Sequence, residues 1–361
     1  MSAFPSLLRR VWPLAAIAAI LAALAAAFAW TASWIGGPRL TAQRVTDAIE
    51  AGNGRIHPGF RRAHAKGVCV TGHFASNGAG APLTRAGMLA AGATTPVLGR
   101  LSIAGGDPHA PDATTRVRSM ALLLAGADGQ QWRMAMNNFP FFAVSTPQGF
   151  YDQAVANRPD PATGKPDPAK MAELLRRHPE IKRFQQWAKT APWADSWGNT
   201  GFNGVNAFRF TDAAGRVHFV RWSMRPRLAF AAMDKAKRAG AEADYLADDL
   251  QARLANGPLR WGLVLHVAAP GDPINDPSRA WPADRQQIVA GTLVLDAAQD
   301  QAEGACRDIN YDPTVLPDGI RPSDDPVLAA RASVYAQSYN RREREIARGQ
   351  APKTAHRESA R

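Results

Sequence analysis

Short apolar runs separated by glycine, proline and small polar residues occupy most of the chain after its first sixty residues. Alternation of apolar and polar side chains is typical of strands with one buried face. The predicted strands are Gly67–Phe74, Pro96–Ala104, Met120–Gly126, Trp132–Met136, Ala207–Phe210, Arg216–Trp222, Trp261–Ala268 and Gln287–Leu295. Two pairs of strands flank short turns, Ala127-Asp128-Gly129 and Asp212-Ala213-Ala214-Gly215, and are therefore predicted hairpins.

Helical patterns lie around these strands. Thr41–Ala51 predicts a short amphipathic helix. Asp167–Thr190 is charged and contains Pro179, which predicts two short helices. Pro326–Arg348 predicts a longer helix that ends at Gly349. Hairpins in the middle with helices at the periphery predict the α+β class, built on an antiparallel barrel or sheet.

The N-terminal pattern is different. Residues 11–30 carry no charge and one proline, and about 20 apolar residues suffice to cross a bilayer as a helix. Arg9 and Arg10 predict that residues 1–10 remain in the cytoplasm. Ala27-Phe28-Ala29 also fits a cleavage site, so the segment is either a retained anchor, which its length favours, or a removed signal peptide. Both alternatives predict a periplasmic functional domain, at the inner membrane or released from it.

The functional domain is predicted at residues 40–349, followed by a charged tail at residues 350–361. The formal net charge of the 361 residues is +12, which raises the question of a nucleic-acid partner. The excess is scattered, and its densest cluster, Arg341–Arg361, is interleaved with glutamates. The sequence contains no zinc-ligand spacing, Walker loop or arginine–aromatic RNA motif, so the charge indicates a solvated basic surface and no nucleic acid.

Cys69 and Cys306 are the two cysteines of the chain. They are too far apart in the sequence for a local metal knuckle. In an oxidising compartment they can form a disulfide, and two buried free thiols fit the sequence equally well. The sequence leaves this choice open.

Arg331, Tyr335 and Arg342 share one face of the last predicted helix, because offsets of four and eleven residues return to nearly the same angle. An adjacent guanidinium favours the charged form of a phenol, whose free pKa is near 10. A phenolate is a hard anionic ligand that suits ferric iron. One core tyrosine with two surface arginines would give the same triplet. The helix alone therefore proposes a metal site without proving it.

Five further sequence segments are informative because of the order in which they occur. They are Arg61–Gly67, Val97–Ser102, Asn137–Phe142, Trp281-Pro282 with Val289–Leu295, and Tyr311–Ile320. In this order, ending at a tyrosine with an arginine four residues before it, they resemble the motifs of the catalase family. The resemblance runs from about Phe60 to Arg342. It implies an antiparallel β-barrel with helical insertions, a C-terminal helix that carries the iron ligand, and haem b as cofactor.

The resemblance also implies roles for single residues. His64 corresponds to the distal acid–base residue, Asn137 to its polar partner, and Ser102 to the hydroxyl that orients the imidazole. Tyr335 corresponds to the axial iron ligand and Arg331 to its charge partner. An imidazole, with an unperturbed pKa near 6.5, can take a proton from peroxide and return it.

The remaining implied residues surround the cofactor. Those matched to propionate-binding arginines are Arg61, Arg100 and Arg342, and those matched to phenylalanines of the distal side are Phe142 and Phe150. Guanidinium forks bind carboxylates bidentately, so the assignment is chemically coherent.

The chain departs from the family at Ala336 and Gln337, where a proline and an acidic residue are usual, and at Arg116, where an acidic residue lines the main channel. It also ends soon after the ligand helix, which leaves the oligomeric state open. A shorter, more open protein implies a peroxidase that reduces hydrogen peroxide or organic peroxides with an organic reductant. The alternatives are a catalase that disproportionates hydrogen peroxide, a non-catalytic exported haem-binding protein, and a barrel that holds a small apolar ligand.

Overall fold

The computed structural model describes residues 4–32, 34–35 and 39–351. The chain divides into two compact units between Thr41 and Ala42. The first unit contains helix α1 (Phe4–Thr31), which over Trp12–Thr31 is long and apolar enough to cross a membrane, a property that signal sequences share. Most of the predicted charged tail, from residue 352 onward, lies outside the described residues.

Nine strands in the described part of the second unit form one antiparallel sheet. They are β1 (Gly67–Ser76), β2 (Thr94–Ile103), β3 (Arg118–Ala125), β4 (Gln131–Asn137), β5 (Phe202–Thr211), β6 (Val217–Pro226), β7 (Leu259–Val267), β8 (Gln287–Asp300) and β9 (Ile320–Pro322). Their order is β4-β3-β2-β1-β8-β7-β6-β5-β9, and the pair Asn137–Asn203 joins β4 to β5. Strands β1–β8 therefore close a barrel, which confirms the predicted architecture and both hairpins.

The barrel interior is packed with large apolar side chains. Trp132 is fully buried there, with its ring 5.3 Å from that of Trp222 at an interplanar angle of 86°. Strands β2–β4 contribute inward residues at alternate positions, namely Val97, Leu101, Ile103, Met120, Leu122, Leu124, Met134 and Met136. Because strand side chains alternate between faces, the residues between these positions point out of the barrel.

The helices of the second unit lie outside this core. They are α2 (Ala42–Asn53), α3 (Pro147–Ala156), α4 (Pro168–Arg177), α5 (Ile181–Thr190), α6 (Lys235–Ala239), α7 (Tyr245–Ala255) and α8 (Pro326–Ala347). The two short helices around Pro179 and the long final helix agree with the sequence pattern. Helices α3, α6 and α7 and the short strand β9 were not predicted.

Cys69 and Cys306 form a disulfide, which answers the question that the sequence left open. It joins β1 to a short 3₁₀ turn at Ala305–Asp308. The guanidinium of Arg61 donates hydrogen bonds to the main-chain oxygens of Cys306 (3.1 Å) and Ile309 (2.8 Å) in the same segment. The crosslink therefore holds the chain against which Arg61 rests.

Candidate active site

His64 lies in the loop before β1 with a left-handed backbone, φ 55°, which no other non-glycine residue of the described chain shares. Such a conformation persists only where neighbouring contacts hold it, and it is common at functional sites. Its Nδ1 lies 3.2 Å from the main-chain oxygen of Ile103 and 3.0 Å from the hydroxyl of Ser119. Both contacts orient the imidazole on the outer surface of the barrel.

The donor and acceptor pattern around His64 defines its tautomer. Ser119 stands opposite Asn137 in the β3–β4 hairpin, and its hydroxyl donates to Asn137 Oδ1 at 2.5 Å. With its proton used in this way, the Ser119 oxygen accepts from Nδ1–H of His64. The lone pair is then on Nε2, which has no hydrogen-bond partner in the described chain. This atom is free to accept a proton from a small molecule.

Ser102 does not have the role that the resemblance gives it. It lies on β2 opposite Ser119, and no hydrogen bond joins it to His64 among the residues described. The prediction for Ser102 is therefore wrong, because Nδ1 lies at the end of β2 against Ile103 and reaches the hydroxyl on β3 instead. Counting the hairpin register outward from the turn at Gly129 pairs residue 119 with Asn137 and could have found Ser119.

Burial and nearby positive charge keep the His64 imidazole neutral. Burial is the largest cause and Arg100 the next, and together with Arg331 and Arg61 they lower the pKa of His64 to about 4. The hydrogen bond to Ile103 acts in the opposite direction and is outweighed. Near neutral pH His64 is therefore a base with an available lone pair.

Arg331 and Tyr335 form the pair predicted on the last helix. Arg331 Nη2 donates to the Tyr335 hydroxyl at 2.8 Å and to the main-chain oxygen of Ala135 at 3.2 Å, while Nη1 donates to Asn206 Oδ1 at 2.6 Å. Asn206 in turn donates to Asp325, which caps the start of α8. The phenol is thus fixed by a guanidinium that is itself fixed to β4 and β5.

Helix α8 is covered only near its ends. Val327 and Leu328 are buried at the start and Arg342 near the end, and none of the thirteen positions between Leu328 and Arg342 is buried. A helix of this length beside a barrel normally buries a continuous stripe. The incomplete stripe indicates that this part of α8, with Tyr335 in it, lines a space.

Three guanidiniums predicted to bind propionates lie together at one end of the site. Burial is the largest cause of the lowered pKa of each, and repulsion from Arg100 and Arg342 lowers that of Arg61 further. The pKa of Arg100 falls to about 10. The buried Nε atoms of Arg100 and Arg342 have no hydrogen-bond partner in the described chain. These two Nε atoms lack acceptors, which carboxylates would supply.

A cavity of about 300 Å³ opens beside this cluster. It is lined by Arg61, Arg342, Arg307, Gln301, Phe60 and Ile346, together with small residues, and by no acidic side chain among those described. Gln301 accepts from Arg100 at 2.5 Å and so holds that guanidinium at the cavity wall. The cavity is suited to an anionic group that also has an apolar portion.

Phe142 and Phe150, predicted to line the distal side, stack on each other with ring centroids 5.9 Å apart and an interplanar angle of 24°. Both are half-buried and pack against a small core formed with α3–α5. Their role beside a cofactor stays a prediction.

Ion pairs that the sequence did not reveal connect the His64 loop to the Tyr335 helix. Arg62 Nε lies 2.6 Å from Glu50 on α2, and Arg62 Nη1 donates to Glu345 on α8 at 3.0 Å. Arg341 lies 2.6 Å from Glu50. Arg62 is 5% exposed, so this network is screened little by solvent. It fixes the separation between the two sides of the site.

The comparisons with known proteins agree with this geometry. The model of the catalase family matches residues 48–346. A catalase-related peroxidase of Synechococcus elongatus is 37% identical over 328 residues, which cover 91% of this chain and 96% of that protein. A catalase-related peroxidase of Mycolicibacterium paratuberculosis is 34% identical over 300 residues, with coverages of 83% and 94%. The chain belongs to the catalase family.

Longer relatives match over part of their length. A catalase of Pseudomonas syringae is 28% identical over 294 residues, and this chain spans 56% of it. Solved structures of a bacterial and a fungal catalase each have a TM-score of 0.70 over 85% of this chain, at 23% and 20% identity. The chain spans 62% and 64% of those two proteins. These structures support the fold.

Proposed function

We propose that this protein is a haem-dependent peroxidase that reduces hydrogen peroxide and organic peroxides with electrons from an organic donor. Two relatives that it matches over nearly their whole length are named catalase-related peroxidase. The observation that carries the proposal is the position of the half-buried His64, whose Nδ1 is held by Ser119 and Ile103 while Nε2 has no hydrogen-bond partner in the described chain.

The chain's residues fit haem b. Tyr335 would bind the iron, as tyrosine does in catalases. The three clustered guanidiniums of Arg61, Arg100 and Arg342 would bind the propionates. The partnerless Nε atoms of Arg100 and Arg342 and the adjacent cavity support this. Phe142 and Phe150 would line the distal side. Haem, when bound, supplies the iron that exchanges electrons with peroxide and donor.

The protein's contribution to the reaction is proton transfer and orientation. His64 Nε2 would accept a proton from one peroxide oxygen and return it to the other, which leaves as water. The Ser119 hydroxyl keeps the imidazole in the tautomer that this requires. Asn137, whose Oδ1 accepts from Ser119, has its amide NH₂ available to donate to the peroxide oxygen as charge develops.

Arg331 keeps the phenol of Tyr335 oriented. The guanidinium donates to the phenol oxygen and is itself braced by Asn206 and the Ala135 carbonyl, so it cannot turn away when the oxygen becomes charged. An oxygen that must carry negative charge is stabilised by a fixed donor of this kind.

The second candidate function is disproportionation of hydrogen peroxide, because the pair His64 and Asn137 suits the first proton transfers of both reactions. Oxygen release and oxidation of a dye donor, measured in the same preparation, separate the two. We expect dye oxidation to dominate. Rapid oxygen evolution with hardly any dye oxidised would contradict the peroxidase proposal.

A non-catalytic haem-binding protein is less well supported. It would use Tyr335 and Arg331 but has no need of a neutral histidine held by Ser119. A barrel without haem is the remaining alternative, and its test is the visible spectrum after expression with adequate haem supply. Absence of a Soret band would favour it and contradict the enzyme.

We further propose that the catalase-like domain is periplasmic, either anchored by α1 or released after its cleavage. The apolar length of α1 supports export. The disulfide between Cys69 and Cys306 supports an oxidising compartment. The intact mass of the mature protein distinguishes the anchored from the cleaved form, and a reduced, cytoplasmic product would contradict both.

A further inference from the structure

Arg116 replaces an acidic residue expected at the family's main channel, and the structure pairs it with an aromatic ring. Its guanidinium carbon lies 5.0 Å from the centre of the Trp193 ring, and that of Arg238 lies 4.5 Å from the same centre. Cations near an aromatic ring within about 6 Å are attracted by its negative face. Two positively charged guanidiniums therefore lie against one half-buried indole ring, that of Trp193.

These two cations have no anionic partner in the described chain. Neither the Arg116 nor the Arg238 guanidinium takes part in a hydrogen bond or an ion pair among the residues described. Burial lowers the pKa of Arg116, and the charge of Arg238 lowers it further. Asp234, the nearest acidic residue along α6, caps that helix at Lys237. Neither guanidinium therefore has an ion-pair partner among the described residues.

A third guanidinium at the same ring has a different environment. Arg118 lies 5.7 Å from the Trp193 ring centre, but it is 1% exposed and donates to Tyr245 at 2.8 Å and to the carbonyl of Thr115. Both of its terminal nitrogens donate within the protein, while its buried Nε has no hydrogen-bond partner in the described chain. The contrast identifies Arg116 and Arg238 as the members of the group that face outward with donors to spare.

The supporting backbone is ordered by main-chain hydrogen bonds. Met233 N donates to the Trp193 carbonyl at 2.8 Å, and Ala194 forms a β-bridge with Ala232. This holds the segment that leads into α6, and hence Arg238, beside the indole. The site is therefore assembled from three parts of the chain.

The group also lies near the distal side of the active site. Arg116 precedes Ser119 by three residues, a separation of at most about 10 Å in an extended chain. Its main-chain oxygen accepts from the side chain of Asn138 at 3.0 Å, and Asn138 follows the distal Asn137. Arg116 is therefore joined through Asn138 to the strand that carries Asn137, which is proposed to bind peroxide.

We propose that Arg116, Trp193 and Arg238 form the binding site for the organic electron donor, and that the donor carries a carboxylate. This inference rests on the proposed peroxidase function. The two guanidiniums supply charge-assisted hydrogen bonds to the carboxylate. The Trp193 ring holds both guanidiniums at similar distances from its centre. The site therefore indicates the chemical class of the electron donor, an organic carboxylate, which the sequence alone did not indicate.

The test uses the haem-loaded protein and two probes of equal shape, para-hydroxyphenylacetate and its neutral amide. In Arg116→Gln and Arg238→Gln we expect the KM for the carboxylate to rise about tenfold, which is the loss of one charge-assisted bond. The kcat and the KM for the amide should not change. Arg116→Lys and Arg238→Lys keep the charge and should recover part of the affinity.

Arg158→Gln is the matched control, because it removes one exposed positive charge elsewhere. Calorimetric binding of the carboxylate probe to the resting protein gives a second readout that does not need turnover. The proposal is overturned if both probes change equally, if neither changes, or if Arg158→Gln has the same effect. If no donor is oxidised at all, the peroxidase function fails, while calorimetry still decides whether the anion site exists.

Discussion

The buried side chains on the two faces of strands β2–β4 differ in polarity. The inner face carries fully buried apolar side chains such as Leu101, Met120 and Leu122, which satisfy one another by packing. The outer face of the same strands carries Arg100 and Ser119, which are nearly as buried but polar. Neighbouring positions along one strand thus differ completely in chemistry while they share their backbone.

The difference lies in what completes each face. The inner face is apolar and its side chains pack against one another, and the unpaired polar groups there are neutral, such as the indole Nε1 atoms of Trp132 and Trp222. The outer face has an Arg100 Nε without partner, an imidazole nitrogen without partner and a helix with an incomplete buried stripe. A buried charge without a partner costs more than an unpaired neutral N–H, so a ligand that pairs with the guanidiniums of the outer face would stabilise that face most. The barrel stabilises the fold from within and holds the candidate site on its outside.

Tyr335→Phe should have the largest effect on activity. It removes the oxygen that would bind the iron and leaves the aromatic ring, so we expect loss of the ferric phenolate spectrum and of peroxidase activity. Haem content and the visible spectrum of the purified variant measure this. An unchanged spectrum would show that another residue is the ligand.

His64→Ala should follow, with activity lower by on the order of 10² to 10⁴, the usual contribution of a positioned acid–base group. Haem content and the position of the Soret band should stay near those of the parent protein, because His64 is not the residue proposed to bind the iron. Steady-state rates with peroxide and a dye donor measure the loss. Near-normal rates would mean that the proton transfers use another group.

The pH profile tests the same residue. With its pKa lowered to about 4, His64 should stay neutral down to that pH, so the acid limb of activity lies near pH 4 and not near 6.5. The unfolded chain takes up this proton near pH 6.5 and the folded chain only near 4, so the stability due to this group is complete above pH 6.5 and falls between these values. Chemical unfolding at several pH values, compared with His64→Ala, measures this. Equal slopes in both proteins would contradict the assignment.

Ser119→Ala should lower activity about tenfold, the value of one hydrogen bond that fixes the imidazole tautomer. Ser102→Ala is its matched control, since the two serines face each other in adjacent strands and are similarly buried. We expect it to have little effect on kcat/KM. If Ser102→Ala were the more damaging substitution, the corrected assignment of the hydroxyl would be wrong.

Leu122→Ala should have the smallest effect on activity, although it removes more buried volume than any of these changes. It lies on the inner face of β3 and is fully buried, so we expect unfolding to become about 2–5 kcal/mol easier. At temperatures well below the transition, kcat/KM should be unchanged. Denaturant unfolding and steady-state rates are the two measurements, and a selective loss of activity would show that the two faces are coupled.

The barrel strands and the last helix could be predicted because their signals are local. Alternation, turn residues and caps define β3–β4 and α8 within a few dozen positions. The pairings of β1 with β8 and of β4 with β5 join distant parts of the chain and leave no such signal. The family resemblance, and not periodicity, supplied the barrel closure.

In the candidate site, too, the contacts that could be predicted are those between residues close together in the sequence. The pair Arg331 and Tyr335 is one helical turn apart and is confirmed as a contact. The β3–β4 hairpin register could have placed Ser119 opposite Asn137. Its contact with His64 depends also on the pairing of β2 with β3, which spans a long connection and leaves no local signal. The ion pairs of Arg62 with Glu50 and Glu345 join three separate segments and have no local pattern.

The crosslink between Cys69 and Cys306 has a consequence for the making of the protein. The two cysteines are 237 positions apart, and seven of the barrel strands lie after the first of them. Thiol oxidation therefore cannot join them until the ribosome has passed position 306. A stalled or truncated chain lacks the crosslink and stays accessible to proteases, whereas a completed chain is stabilised by it. The disulfide therefore forms only in chains whose translation has passed Cys306, which precedes the final helix α8.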